Sequence, residues 1–171
     1  MAQTVLITGG TGMIGKRLTQ LLLEKGYQVA YLSRRQETIP NVTVYRWDVD
    51  KQFIDERALI HADYIIHLAG AGVMDKKWTN EYKKEIISSR ADSARLIVDS
   101  LKKHPNKVKA IISASAIGWY NATNTIHTEE EEAADNFLGQ TTRLWEESMK
   151  PVLQMDKRLV KLRIEIGRAH V

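Results

Sequence analysis

Short apolar runs alternate with longer amphipathic stretches along the chain. The run Thr4–Thr8 (TVLIT) is β-branched and lacks polar alternation, which is typical of a strand buried on both faces of a parallel sheet. Similar short runs at Gln28–Ser33 and Tyr64–Leu68 predict two more strands. Apolar residues recur at helical spacing in Gly12–Lys25 and Asn80–Lys103. Such alternation predicts right-handed βαβ crossovers and an α/β fold with a doubly wound parallel sheet.

The same criteria assign the remaining segments. Strands are predicted at Val42–Trp47, Val108–Ser113 and Leu159–Ile164, and helices at Asp50–Leu59 and Ala134–Leu153. The helix at Asp50–Leu59 has the weaker pattern of the two. The strands therefore number six, each separated from the next by a loop or a helix.

Composition excludes several classes of protein. The 171 residues contain 25 Lys and Arg against 21 Asp and Glu, a net charge of +4, and no cysteine. A disulfide framework, a zinc ribbon and a thiol nucleophile are therefore excluded, and a reducing, cytoplasmic location is expected. The lysines are dispersed, no apolar stretch is long enough to span a bilayer, and the five histidines share no ligand spacing. We expect no nucleic acid, no membrane and no metal site.

Seven of the ten glycines follow predicted strands directly. They are Gly9, Gly10, Gly12 and Gly15 after the first strand, Gly70 and Gly72 after the fourth, and Gly118 after the fifth. In open α/β sheets, ligands bind at this carboxyl edge, where the strand order reverses. The distribution of the glycines therefore predicts a ligand site at one edge of the sheet.

The first cluster has the pattern T-G-x-x-G-x-x-G between a strand and a helix, from Thr8 to Gly15. A dinucleotide site needs a tight turn at Gly9, close approach of the pyrophosphate at Gly12, and packing of helix on strand at Gly15. Free amides at the start of the helix then face the phosphates. A glycine triplet alone is weak evidence, but this strand–turn–helix context makes the prediction of a dinucleotide site strong.

The end of the second strand bears on the choice of cofactor. NAD sites usually place Asp or Glu there to bind the ribose hydroxyls, but this chain has Ser33, Arg34 and Arg35. A hydroxyl and a guanidinium suit a 2′-phosphate. The sequence therefore predicts NADP(H) in preference to NAD(H), and the alternative is that the arginines are ordinary surface residues.

Several motifs occur in an order that resembles a known family. They are TGGTGMIG at 8–15, SRR at 33–35, HLAGAGV at 67–73, SSRADSARLIVDSL at 88–101, SASAIGWY at 113–120, the spacing from Trp78 through Glu85 to Arg90, and the pair Trp145-Glu146. Together they resemble the extended and atypical short-chain dehydrogenases/reductases, in particular the NAD-dependent epimerase/dehydratase-like proteins. The resemblance implies a Rossmann-type NAD(P)-binding fold over residues 1–164.

The resemblance also implies which residues contact the cofactor. The backbone from Gly9 to Gly15 would hold the pyrophosphate, and Ser33 and Arg34 would meet the adenosine phosphate. The other expected contacts are Thr11, Gly12, Met13 and Ile14 within the glycine turn, Leu68, Ala69 and Gly70 beside the adenine and ribose, Asp48 at the adenine, and Glu85 and Arg90 facing the cleft. From spacing alone, Glu85 and Arg90 are equally well explained as an exposed ion pair.

The expected catalytic pattern is incomplete. Reductases of this family generally pair a Ser or Thr after the fifth strand with a Tyr-x-x-x-Lys helix, in which the lysine lowers the pKa of the tyrosine. Ser115 fits the hydroxyl position, but the sequence contains no Tyr-x-x-x-Lys. Tyr120 is a second catalytic candidate, with aromatic packing as its alternative, and Thr141 could occupy part of the space of the missing pair.

Two functions follow from these residues. The first is an NADP(H)-dependent oxidoreductase or epimerase that transfers hydride to or from a carbonyl or sugar-type small molecule. The second is a non-catalytic NADP(H)-binding sensor or assembly module, which keeps the nucleotide pocket without the acid/base pair.

The C-terminal end departs from the family pattern. Extended members continue past this point into more sheet and a small substrate domain, and the last six residues, IGRAHV, resemble the translation of a sequencing adapter. We therefore expect a fold that is incomplete at the C-terminus, with residues 165–171 as a non-native tail and the substrate domain missing.

Overall fold

A computed structural model describes residues 2–165 of the chain. The expected non-native tail therefore lies outside the described residues, except for Glu165. The strands are β1 Thr4–Thr8, β2 Gln28–Ser33, β3 Val42–Asp48, β4 Phe53–Ile54, β5 Tyr64–His67, β6 Ala110–Ala116 and β7 Arg158–Ile164. The helices are α1 Met13–Glu24, α2 Glu56–His61, α3 Asn80–Lys103 and α4 Phe137–Met149, with 3₁₀ turns at Ile117–Trp119 and Lys150–Met155.

The strands form one sheet in the order β4-β3-β2-β1-β5-β6-β7. All neighbours are parallel except β3 and β4, which are antiparallel. The chain moves outward from β1 in both directions, so the strand order reverses between β1 and β5. This is the position at which open α/β sheets bind ligands.

Helices cover both faces of the sheet. On one face, Leu18 and Leu22 of α1 pack against a cluster that includes Ile7 and Tyr31. On the other, α3 and α4 bury a larger cluster, in which Ile97, Trp145 and Met149 lie against the sheet. The predicted doubly wound Rossmann-type α/β fold is confirmed. The described helices include none that is both long and apolar enough to cross a membrane.

Two predicted helices needed correction. The segment Asp50–Leu59 is helical only from Glu56, because the chain first turns back at Gln52, with φ at 50°, and pairs β4 with β3. Asp55 then starts α2 by accepting a hydrogen bond from the amide of Arg57. The helix predicted at 134–153 is shorter, because Asn136 caps α4 at Phe137 and the chain continues after Met149 as a 3₁₀ turn containing Pro151, which has no amide hydrogen to donate.

Candidate cofactor site

The turn between β1 and α1 leaves backbone amides available to a ligand. Gly9 has φ at +69°, a left-handed conformation that favours glycine, and its carbonyl accepts a 3.0 Å hydrogen bond from the amide of Gly12. Gly12 is the N-cap of α1 and provides no side chain to cap it. The first amides of a helix have no partner within the helix, so those of α1 form a site suited to an anion.

Gly15 allows α1 to pack closely on this turn. A Cβ at Gly15 would lie 2.6 Å from the Cα and the carbonyl oxygen of Gly10, closer than atoms can approach without a shift of backbone. Glycine at this position therefore sets the distance between the helix and the turn.

The loop after β5 packs directly on the glycine turn. The hydroxyl of Thr8, at the end of β1, accepts hydrogen bonds from the amides of Leu68 and Ala69, both at 3.2 Å. A Cβ at Gly9 would lie 3.0 Å from the amide nitrogen of Ala69. The two loops that follow the two central strands therefore form one continuous surface at the carboxyl edge of the sheet.

The buried side chain of His67 links the strand end beneath this surface to helix α3 through hydrogen bonds. His67 Nδ1 lies 2.8 Å from the hydroxyl of Thr8, and its Nε2 lies 3.3 Å from the hydroxyl of Ser93 on α3. Burial lowers the pKa of His67 to about 4, so the ring is neutral near pH 7. Because Thr8 already accepts two amide hydrogens, its own hydroxyl hydrogen is directed to Nδ1, which leaves Nε2 to donate to Ser93.

Helix α3 holds the rest of the β5 loop. The amide of Ala71 donates to the hydroxyl of Ser89 at 2.9 Å, and Arg90 donates to the carbonyl of Ala71 at 2.9 Å. The Tyr82 hydroxyl donates to the carbonyl of Gly72. Burial lowers the pKa of Arg90, whose guanidinium also lies 5.2 Å from the centre of the Trp145 ring. Arg90 thus fixes the loop that lines the cleft.

A cavity of about 900 Å³ opens beside this loop. Four of the predicted cofactor residues line it, namely Arg34, Ala69, Gly70 and Glu85. The prediction from sequence did not include the other lining residues, among them Trp47, Val49, Asp50, Ser88, Ser89 and Asp92. Their positions depend on how the end of β3 faces α3 across the sheet edge, which no local pattern encodes.

The structure separates some of the residues that the sequence grouped. Glu85 forms its ion pair with Lys76 at 3.2 Å, while Arg90 bonds backbone carbonyls, so Glu85 and Arg90 do not form the alternative exposed pair. The carboxylate of Asp48 accepts a 3.0 Å hydrogen bond from the amide of Lys51 and so closes the turn after β3. A role of Asp48 at the adenine stays a prediction.

Both candidate catalytic hydroxyls belong to one cluster of charged side chains, which lies near β6, β7 and α4 and not at the glycine turn. Ser115, near the end of β6, donates a 2.7 Å hydrogen bond to Glu146 on α4. Lys161 and Arg163 of β7 each donate to Glu146 at 2.9 Å. Arg163 also donates to the hydroxyl oxygen of Tyr120 at 2.8 Å. We call Ser115, Tyr120, Glu146, Lys161 and Arg163 the Glu146 cluster.

The electrostatics of the Glu146 cluster favour its charged form. Burial raises the pKa of Glu146, which is 3% exposed, but hydrogen bonds from Arg163, Lys161 and Ser115 outweigh burial and hold the pKa below its ordinary value. Burial lowers the pKa of Arg163, and its bonds to Glu146 and Tyr120 raise it overall. The cluster therefore holds one buried carboxylate against two cations.

Sequence reasoning gave no role to Glu146, Lys161 or Arg163. A signal for Glu146 was present, because it stands beside Trp145 and one turn after Thr142, on the buried face of an amphipathic helix. Lys161 and Arg163 are two residues apart on β7, so their side chains point to the same face of the sheet. A buried acid on a helix and two bases on one strand face indicate an ion cluster once the two elements are known to touch.

The described part of the chain contains no group of three or more His, Asp or Glu side chains arranged to hold a metal ion.

The fold and the glycine turn define a Rossmann-type domain of the NAD(P)-binding class. The model of the NAD dependent epimerase/dehydratase family matches residues 5–144, and the chain belongs to this family.

The chain is similar to individual relatives over most of its length. The Bacillus subtilis epimerase family protein YfhF is 34% identical over 166 residues, which cover 95% of this chain and 54% of that protein. The crystal structure of human epimerase family protein SDR39U1 with NADPH superposes with a TM-score of 0.78 at 24% identity, over 98% of this chain and 56% of that one.

A third comparison concerns a sugar-nucleotide enzyme. The structure of UDP-glucose 4-epimerase from Bifidobacterium longum, in complex with NAD⁺ and UDP, gives a TM-score of 0.75 at 27% identity. The match covers 94% of this chain and 52% of that one. The chain thus spans about half the length of the relatives that it matches.

Proposed function

We propose that this chain is the NADP(H)-binding part of an epimerase-like oxidoreductase that acts on a carbonyl or sugar-type small molecule. One observation carries the proposal: the uncapped glycine turn lies at the reversal of strand order and packs against a loop that lines a cavity of about 900 Å³. Amides available at a helix start, next to a cavity of this size, are suited to a dinucleotide.

Different residues of this chain would bind different parts of the cofactor. The amides of Met13, Ile14 and Gly15 would bind the pyrophosphate, and Leu68, Ala69 and Gly70 would line the adenine and ribose. The bound nicotinamide would supply or accept the hydride. His67 and Arg90 act indirectly, since they hold the glycine turn and the β5 loop in place.

The preference for NADP(H) rests on Arg34. It is exposed at the end of β2 and lines the cavity, where a guanidinium can form charge-assisted hydrogen bonds to a 2′-phosphate. Among the structural relatives, human SDR39U1 was solved with NADPH and the Bifidobacterium longum epimerase with NAD⁺. Because these relatives were solved with different nucleotides, the cofactor preference of this chain depends on its own residues.

Replacing Arg34 by Asp tests this preference. Arg34→Asp exchanges attraction to the 2′-phosphate for repulsion, so NADPH affinity should fall by about tenfold or more while NADH affinity changes little. Fluorescence titration of the intact protein with both nucleotides measures the two affinities. Arg17→Asp, an exposed change on α1, is the control. Equal losses for NADPH and NADH would contradict the proposed preference.

A non-catalytic NADP(H)-binding module is the second candidate function. It is favoured by the Glu146 cluster, in which the hydroxyl hydrogen of Ser115 is directed to a buried carboxylate and Tyr120 accepts from Arg163. As catalytic residues, Ser115 would orient a substrate oxygen and Tyr120 would donate a proton. Oxidation of bound NADPH across a broad panel of carbonyl compounds would support the oxidoreductase, and tight binding without turnover would support the module.

A further inference from the structure

The loop after β2 carries an acidic residue, Glu37, beside the proposed 2′-phosphate site. The Ser33 hydroxyl donates a 3.1 Å hydrogen bond to the carboxylate of Glu37, and its oxygen accepts a 3.1 Å hydrogen bond from the amide of Arg35. A hydroxyl has a single hydrogen to donate. In this structure, the hydrogen that a phosphate would need from Ser33 is therefore held by Glu37.

Glu37 opposes a phosphate for a second reason. Ser33 and Arg34 are the residues proposed to meet the 2′-phosphate of NADP(H), and a carboxylate that bonds Ser33 would repel a phosphate bound to the same hydroxyl. The 2′-hydroxyl of NAD(H) has no such conflict, because a hydroxyl can donate to a carboxylate, as it does where NAD sites place an acid after this strand. Arg34 and Glu37 therefore favour different cofactors.

We propose that Glu37 is a specificity-determining residue, which limits the preference for NADP(H) that Arg34 creates and allows NAD(H) to bind as well. The inference rests on the proposed function, since it concerns the nucleotide at that site. When NADP(H) binds, Glu37 leaves Ser33, and the freed hydroxyl donates to the 2′-phosphate. When NAD(H) binds, Glu37 stays and accepts from the ribose.

The test compares NADPH and NADH affinities of the intact protein with those of the Glu37→Gln variant. Glutamine keeps the size and an acceptor oxygen but loses the charge. NADPH should bind about three- to tenfold more tightly to Glu37→Gln, and NADH about equally or slightly more weakly. Glu24→Gln, which changes an exposed acid on α1 that bonds Gln20, is the matched control and should change neither affinity.

Salt dependence separates charge repulsion from a structural effect. The advantage of Glu37→Gln for NADPH should shrink towards unity as NaCl rises from about 0.1 to 1 M, because the screening length falls from about 10 to 3 Å. A change caused by loss of local structure would affect both nucleotides and persist at high salt.

The remaining outcomes are also decisive. An unchanged ratio of NADPH to NADH affinity in Glu37→Gln, or weaker NADPH binding, would overturn the role of Glu37 and leave the proposed function standing. If the wild-type protein binds neither nucleotide, the proposed function fails, and the inference fails with it.

Discussion

The carboxyl edge of the sheet carries two polar regions, the glycine turn with the β5 loop, and the Glu146 cluster. In the first region, the start of α1 has no side-chain cap, and the neighbouring loop lines a cavity. In the second region, the carboxylate of Glu146 accepts hydrogen bonds from Ser115, Lys161 and Arg163. One region leaves polar groups for a ligand, while the other satisfies its polar groups internally.

The two regions should therefore matter for different properties, the first for nucleotide binding and the second for stability. Polar groups that only a ligand will satisfy contribute little to the stability of the ligand-free protein. A buried carboxylate, in contrast, must keep its partners, because an unpaired buried charge is strongly destabilising. Substitutions in the first region should therefore change nucleotide affinity most, and substitutions in the second should change the free energy of unfolding most.

The largest expected effect on stability is at Glu146. Glu146→Ala leaves Arg163 and the buried hydroxyl of Ser115 without their acceptor, while the exposed Lys161 can be solvated, and should lower the free energy of unfolding by about 3 kcal/mol. Urea denaturation measures this change, and Glu147→Ala, at the exposed neighbour on the same helix, is the control. Equal urea midpoints for the two variants would show that the cluster does not stabilise the fold.

His67 should make stability depend on pH. Its pKa is about 4 in the folded protein against an ordinary value of 6.5, so the unfolded chain takes up a proton first as pH falls. The contribution of His67 to stability should be constant above about pH 7 and fall by up to roughly 3 kcal/mol between pH 6.5 and 4. The charge of Arg90 acts in the same direction as burial, and Thr8 and Ser93, which contact the ring, carry no charge.

The matched variant is His67→Asn, which keeps a donor and an acceptor but does not titrate. Its free energy of unfolding should lose the dependence between pH 6.5 and 5. Glu146 and Asp63, whose pKa values are lowered in the fold, stabilise it above the ordinary carboxyl pKa, and this contribution is lost only at lower pH. A slope that is the same in wild type and His67→Asn would assign the effect to another group.

The smallest expected change in stability is at Gly9, and it should be accompanied by loss of binding. Gly9→Ala places a Cβ 3.0 Å from the backbone of the β5 loop and at a φ of +69°. Gly26→Ala is the control, because Gly26 has φ at +81° and open space around a Cβ. Both should lose about 1–2 kcal/mol from the unfavourable φ.

Gly9→Ala should in addition displace the β5 loop and weaken NADPH binding by about tenfold or more, whereas Gly26→Ala should bind normally. Urea denaturation and fluorescence titration measure the two effects. Normal NADPH binding by Gly9→Ala would mean that contact between the turn and the loop does not shape the site.

The glycine turn shows how far sequence reasoning could go. The pattern from Thr8 to Gly15 predicted a turn between a strand and a helix, and the structure supplies the reasons in the φ of Gly9 and the contact of Gly15 with Gly10. These requirements are local, since they follow from residues that are neighbours along the chain. For the same reason, β1, β2 and α3 were predicted with the bounds that the structure gives them.

The Glu146 cluster shows where sequence reasoning stopped. Ser115 was predicted as a catalytic hydroxyl because of its place after a strand, but its bond partner lies 31 residues away on α4, and Arg163 comes from a third element. Whether a hydroxyl is free or engaged depends on which elements pack together. Glu37 was also not singled out, since its effect depends on its bond to Ser33.

The sequence by itself determined the alternation of strands and helices, the glycine turn and the basic end of β2, because these depend on hydrophobic period, steric freedom and charge over short distances. The tertiary structure alone decided the strand order, the cavity between the end of β3 and α3, and the partners of each buried polar group. Burial makes an unsatisfied polar group costly, so contacts between distant segments determine which hydroxyls, carboxylates and guanidinium groups remain available for chemistry.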